Sequence, residues 1–154
     1  MGQEIERKFL IKTLPENLNE YSYHSMTQGY LNTSPVVRVR KEDNSYYLTY
    51  KGSGLLSRTE YNLPLNEESF NHLLEKADGN IISKKRYEIP YCQGNTSYTI
   101  ELDVFEPPFS PLIIAEVEFE SENAAADFLI PEWFDKEVTY EPAYHNSNLS
   151  KKHF

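Results

Sequence analysis

The chain has 154 residues, 39% hydrophobic and 14% aromatic, with 6 glycines and a formal charge of −9. That length suits a single domain over 1–154 with its own core, and the composition excludes a disordered or low-complexity protein. The acidic balance argues against nucleic acid or a membrane surface as partner, and a lone cysteine, Cys92, with no apolar signal core or membrane-length run, fits a cytoplasmic protein.

Strand one is expected at about 3–11, and a turn around Pro15-Glu16-Asn17-Leu18 leads to strand two near 23–31. Strand three, about 36–42, turns through Glu42-Asp43-Asn44-Ser45 into strand four, about 46–51; Gly52-Ser53-Gly54 then turns into strand five, about 57–63. These hairpin signals make the neighbours antiparallel. Residues 66–77 read as a helix, with Asn66 as N-cap, Glu67 and Glu68 in the first turn, Phe70, Leu73, Leu74 and Ala77 on one face, and Gly79 as terminator. Strands six and seven follow at about 81–89 and 97–105. Glu106-Pro107-Pro108 breaks the chain before strand eight at about 112–120. A helix starts at Ser121 and ends before Pro131, and a short C-terminal helix falls near 144–152. The fold class is α+β, mainly antiparallel β, with enough strands to close an eight-stranded barrel flanked by helices.

The charges alternate along these strands. Glu4, Glu6 and Lys8 share one face of strand one, while Ile5 and Phe9 take the other. Two carboxylates about 7 Å apart on a rigid strand can hold a divalent cation, and Lys8 one step on can meet the anion it brings. The pattern recurs in Arg38 and Arg40, Thr49 and Lys51, Arg58 and Glu60, Lys84 and Arg86, Glu101 and Asp103, and Glu116 and Glu118. One such strand is what any half-wet antiparallel sheet shows. The set differs because sign is sorted by strand: three, four and six are basic, seven and eight acidic. With those faces inward the charges surround one lumen, where they must stay hydrated or bind a ligand. Hard carboxylate oxygens suit Mg²⁺ or Mn²⁺, and Arg forks and Lys ammoniums suit phosphate.

Glu4-Ile5-Glu6-Arg7-Lys8, Gln28-Gly29-Tyr30-Leu31, Arg38-Val39-Arg40, Thr49-Tyr50-Lys51-Gly52, Arg58-Thr59-Glu60, Lys84-Lys85-Arg86-Tyr87, Asp103-Val104-Phe105, Glu116-Val117-Glu118 and Glu137-Val138-Thr139 stand in order along nearly the whole chain. This ordered set resembles the CYTH domain, or triphosphate tunnel metalloenzyme, superfamily. The resemblance implies an eight-stranded tunnel that binds triphosphates with divalent metal, Mg or Mn. It makes Glu4, Glu6, Asp103, Glu116 and Glu118 metal ligands, with Glu60 assisting, and lines the phosphate path with Lys8, Arg38, Arg40, Lys51, Lys84 and Arg86. Arg58 matches a family position without a defined contact. Ala143-Tyr144-His145-Asn146 departs from the family, where a basic residue commonly precedes the tyrosine.

The expected activity is metal-dependent hydrolysis, with inorganic triphosphate as first choice of small-molecule substrate. Glu6 or Glu118 orients the attacking water and Lys8 stabilises the phosphate charge. Thiamine triphosphate, nucleoside triphosphates, ATP cyclisation, or polyphosphate binding without catalysis are the alternatives. The protein is expected as a monomer or homodimer. His24, His72, His145 and His153 lack ligand spacing, and Trp133 reads as a packing anchor.

Overall fold

The computed structural model describes residues 2–154. In chain order the elements are β1 (Gly2–Ile11), β2 (Tyr23–Thr33), β3 (Val36–Glu42), β4 (Ser45–Lys51), β5 (Ser57–Leu65), α1 (Glu67–Leu74), β6 (Asp78–Gln93), β7 (Thr96–Phe105), β8 (Ile113–Glu118), α2 (Glu122–Asp127), β9 (Phe134–Glu137) and α3 (Asn146–Leu149). The sheet runs β5-β4-β3-β2-β6-β7-β8-β1-β9, and a further β5–β1 pairing closes β1 to β8 into a barrel. All pairings are antiparallel, as the hairpin signals require.

β1 is the seam. Gly2 to Ile5 pair with β5, and Glu6 to Phe9 pair with β8. Phe9 faces both Ala115 and Glu137, so β9 takes the edge that β5 leaves. β9 was not expected: four residues beside Trp133 look like a packing segment, and only the free edge of β1 makes them a strand. The Trp133 ring does pack edge-on against Phe134, centroids 4.7 Å apart. β6 is longer at both ends than expected, because its tail closes a hairpin on β7 through Gly94, at φ +56°. The Asn66 side chain caps α1 by accepting from the Ser69 N–H, and Ser121 does the same for α2 from Ala124. α1 ends at Leu74, before Gly79, which opens β6 instead. Gly79 has a left-handed φ of +70°, and a Cβ there would meet the Ser150 carbonyl oxygen at 2.1 Å. This close approach docks the C-terminal segment, and Asn80 N–H donates to the same oxygen at 2.6 Å.

The outward faces are apolar and partly covered. Ile5, Phe9, Ile100, Leu102, Val117 and Phe119 pack with Ala125 and Phe128 of the α2 segment and with Phe134. Each such buried side chain contributes on the order of 1.5–3 kcal/mol. Gly29 lets α1 lie against β2, since a Cβ there would sit 2.8 Å from Ala77 and Leu74 carbons. Cover ends at β4 and β5, where Tyr50, Tyr61 and Leu63 remain exposed. Inside, a second cluster of Tyr30, Val36, Ile82, Phe105 and Ile114, with Phe109 and Leu149, shares the inward parity of the charges and fills one end of the barrel. Among the described residues no helix is long and apolar enough to cross a membrane.

Candidate functional site

The inward charges line a cavity of about 360 Å³. Its wall includes Glu4, Glu6, Lys8, Arg38, Arg40, Lys51, Arg58, Glu60, Arg86, Glu101, Glu116 and Glu118. Strand register places them: Glu6 lies opposite Glu118, Lys8 opposite Glu116, Glu101 opposite Glu116, and Lys51 opposite Glu60. A closed barrel turns every inward residue toward the same axis, so residues far apart in sequence meet.

Most of these charges answer one another. Lys8 Nζ lies 2.8 Å from Glu116 and 3.2 Å from Glu6. Burial opposes its charge, yet Glu116 and Glu6 raise its pKa. Burial alone would raise the Glu116 carboxyl, but Lys8 and Arg86 override it and hold it well below the usual range. Lys51 bridges Glu4 at 2.8 Å and Glu60 at 3.3 Å. Arg86 takes both oxygens of Asp103 at 2.7 and 2.9 Å and donates to Glu116 at 2.9 Å.

Two predicted residues lie behind the wall. Lys84 (1% exposed) and Asp103 (0%) are absent from the lining and bind each other at 2.7 Å. Lys84 alternates correctly with Arg86, but its register partner is Phe105, in the apolar plug. Asp103 serves two cations at once, so its oxygens face Lys84 and Arg86. Burial pushes Lys84 down to about 7 despite Asp103, with Arg86 adding to the shift. We therefore place Asp103 and Lys84 as the brace behind Arg86.

Arg38 and Arg40 differ from all of these. Both are buried, both line the cavity, and neither pairs with a carboxylate among the described residues. Arg38 Nε is a buried donor without an acceptor. Arg40 is pulled down to about 10 by burial and then by its cationic neighbours Arg38 and Arg86. The opposite imbalance stands in the acidic wall. Burial, then Glu4, Glu6 and Glu60, raise the Glu118 carboxyl, against Lys51.

No group of three His, Cys, Asp or Glu among the described residues is already gathered on a common point. Glu4 and Glu6 are turned to Lys51 and Lys8. By donor chemistry the cluster fits a hard divalent cation: carboxylate oxygens on adjacent strands whose mutual repulsion a cation would relieve. Glu116 has both oxygens engaged and would join only by releasing Lys8 or Arg86.

Sequence reasoning set Thr49 on the inward face with Lys51 but missed other uncharged lining residues, among them Tyr30, Asn62, Asn146 and Ser147. Tyr30 carries the inward parity of Arg38, which is the available signal. Asn146 and Ser147 come from α3 and carry none. The Glu137-Val138-Thr139 run is a brace for β1: Glu137 binds Arg7 in bidentate fashion at 2.7 and 2.8 Å, and the Thr139 hydroxyl accepts from the Lys8 backbone at 2.9 Å. His145 is not part of the cavity wall. Burial and then Lys8 lower its pKa, and its Nε2–H donates to the Thr139 carbonyl at 2.9 Å.

Known proteins resemble this chain in sequence and fold. The CYTH domain model matches residues 2–150. An inorganic triphosphatase of Nitrosomonas europaea is 40% identical over 96% of both chains. One from Acetivibrio thermocellus is 36% identical over 98% of this chain and 95% of its own. A crystal structure of an inorganic triphosphatase superposes with a TM-score of 0.70 at 35% identity, covering 99% of this chain and 97% of that one. With the family model matched across nearly its whole length, this chain belongs to the CYTH domain family.

Proposed function

We propose that the protein is a metal-dependent triphosphatase whose first substrate is inorganic triphosphate. One observation carries this reading: two buried guanidiniums without carboxylate partners among the described residues share a cavity with carboxylates that repel one another. A polyphosphate with its divalent cation balances both sides. The relatives named inorganic triphosphatase, at 36% and 40% identity, support the same substrate.

Glu4, Glu6 and Glu118 would hold the cation, Mg²⁺ or Mn²⁺, with Glu60 beside them. When bound, the cation supplies positive charge against the phosphate oxygens and makes water a better nucleophile. Arg38 and Arg40 bind the phosphate chain through charge-assisted hydrogen bonds, and Arg86, Lys51 and Lys8 add field at fixed positions. Lys8 is held charged by Glu116 and Glu6, so it stabilises charge and takes no part as a base. Glu118, on the cavity wall with Glu6 opposite it across the strands, orients the attacking water and accepts its proton. The chain acts as one domain in the cytoplasm, on a small molecule, without nucleic acid or membrane.

Phosphate release from inorganic triphosphate, thiamine triphosphate, ATP and pyrophosphate, with Mg²⁺, Mn²⁺ or a chelator, tests the reading. Release should be greatest from inorganic triphosphate and stop on chelation. Tight binding without release from any substrate would make the protein a polyphosphate-binding module instead.

A further inference from the structure

Among the described residues, Lys8, Lys51, Lys84 and Arg86 are buried against carboxylates. Arg40 is held by an amide. Gln28, fully buried on β2, lies directly across from Arg40 on β3. Its Oε1 accepts from Arg40 Nε at 2.8 Å, and its Nε2 donates to the Tyr30 hydroxyl at 3.3 Å. The amide's orientation is determined, because a guanidinium has only donors and the oxygen must face it. Gln28 does not line the cavity, whereas Arg40 and Tyr30 do.

We propose that Gln28 is a positioning residue that fixes Arg40 for the phosphate chain without discharging it. This rests on reading the cavity as a triphosphate site. The hydrogen bond at Nε removes one rotational freedom of the guanidinium and leaves its terminal nitrogens for phosphate oxygens. A carboxylate of the same length at position 28 would grip Arg40 more strongly, but the pair would be neutral, and an incoming anion would compete with a built-in one. The amide also sets Tyr30. Its hydroxyl oxygen accepts from Nε2, so the hydroxyl proton is left for an acceptor in the cavity. Stability alone would favour the carboxylate here. Arg40 is crowded by Arg38 and Arg86, and a negative neighbour would relieve it. The neutral side chain is therefore understandable as a requirement of anion binding.

The test compares Gln28→Glu and Gln28→Met with the wild type, by calorimetric titration with inorganic triphosphate and Mg²⁺ and by thermal unfolding. Gln28→Glu should weaken triphosphate binding about tenfold or more while holding or raising Tm. Gln28→Met removes both hydrogen bonds but adds no charge; it should lower Tm yet weaken binding less than Gln28→Glu. That inverted order is one a purely structural residue would not produce. Gln28→Glu binding as tightly as the wild type, or unfolding at a lower temperature than Gln28→Met, would overturn the proposal and leave the functional reading standing. Wild-type protein that bound no triphosphate would overturn both.

Discussion

The barrel interior holds two kinds of buried charge. Lys84, Asp103 and Arg86 form a closed ion cluster, with Asp103 meeting Lys84 at 2.7 Å and Arg86 at 2.7 Å. Arg38 and Arg40 face open space with no carboxylate partner among the described residues. Burial is similar in both places, so burial does not mark the binding surface. What marks it is charge left unanswered by the protein. A cluster that satisfies itself braces the fold, and one that does not is held ready for a ligand.

The largest expected effect breaks the closed cluster. Asp103→Asn leaves Lys84 and Arg86 without their shared carboxylate, and should cost about 3 kcal/mol in denaturant unfolding. Lys84 then sheds its proton, which its lowered pKa already favours, and keeps the cost from growing further. A loss below about 1 kcal/mol would show that the cluster is not a brace. The open region should behave in reverse. Arg38→Met should reduce turnover about a hundredfold with Tm unchanged or raised, because among the described residues it removes a buried charge with neither a carboxylate nor a hydrogen-bond partner at Nε. Glu118→Gln should do the same from the acidic side, relieving repulsion from Glu4, Glu6 and Glu60 while depriving the water of its acceptor. If either variant unfolded as readily as Asp103→Asn, the two regions would not differ in kind.

The alternation of charges was enough to turn the correct face inward, because period two is a backbone property that survives barrel closure. Glu6, Lys8, Arg38, Arg40, Lys51, Arg86 and Glu116 are all on the wall as the spacing predicts. Depth along the axis was not legible. Lys84 and Arg86 are equivalent by parity, and only the register that sets Lys84 against Phe105 puts it in the plug. Partnership was not legible either: Arg38-Val39-Arg40 and Lys84-Lys85-Arg86 look alike in one dimension, yet one is unanswered and the other is not. Gln28 stood within a recognised run and showed nothing of its role, since an amide becomes informative only once Arg40 is seen across from it. β9 escaped because four residues carry too little period to outweigh neighbouring packing signals.

The closed cluster also desolvates Lys84, which pH should reveal. Lys84 titrates at about 7 in the fold against an ordinary 10.5, so between these values the unfolded chain binds the extra proton. Stability should therefore rise with pH across that window. Glu101 behaves oppositely. Burial, then the carboxylates Glu116, Asp103 and Glu6, raise it from 4.5 to about 7, against Arg86. Its contribution is present below 4.5 and is lost as pH rises through 7. Together they predict a shallow minimum of Tm near pH 7 in the ligand-free protein. Glu101→Gln should flatten the acidic limb. Lys84→Met should flatten the alkaline limb with little other cost, because the Asp103–Arg86 pair remains. Unchanged limbs in both variants would remove the surplus proton from the comparison.

The smallest effect comes from an outer copy of the same arrangement. His24 sits between Asp43 at 2.5 Å and Glu88 at 2.8 Å, much as Lys8 sits between Glu116 and Glu6. Asp43 first, and Glu88 against partial burial, raise its pKa. The stabilisation is present below the ordinary 6.5 and is lost as pH rises through the raised folded value. His24 and its partners are open to water, which screens the pair and leaves little net energy. His24→Gln should therefore lower Tm slightly at about pH 5 and not at about pH 9. A loss at low pH as large as that of Asp103→Asn would mean that exposure does not weaken such a bracket. The difference between the closed cluster and the open guanidiniums would then need a cause other than desolvation.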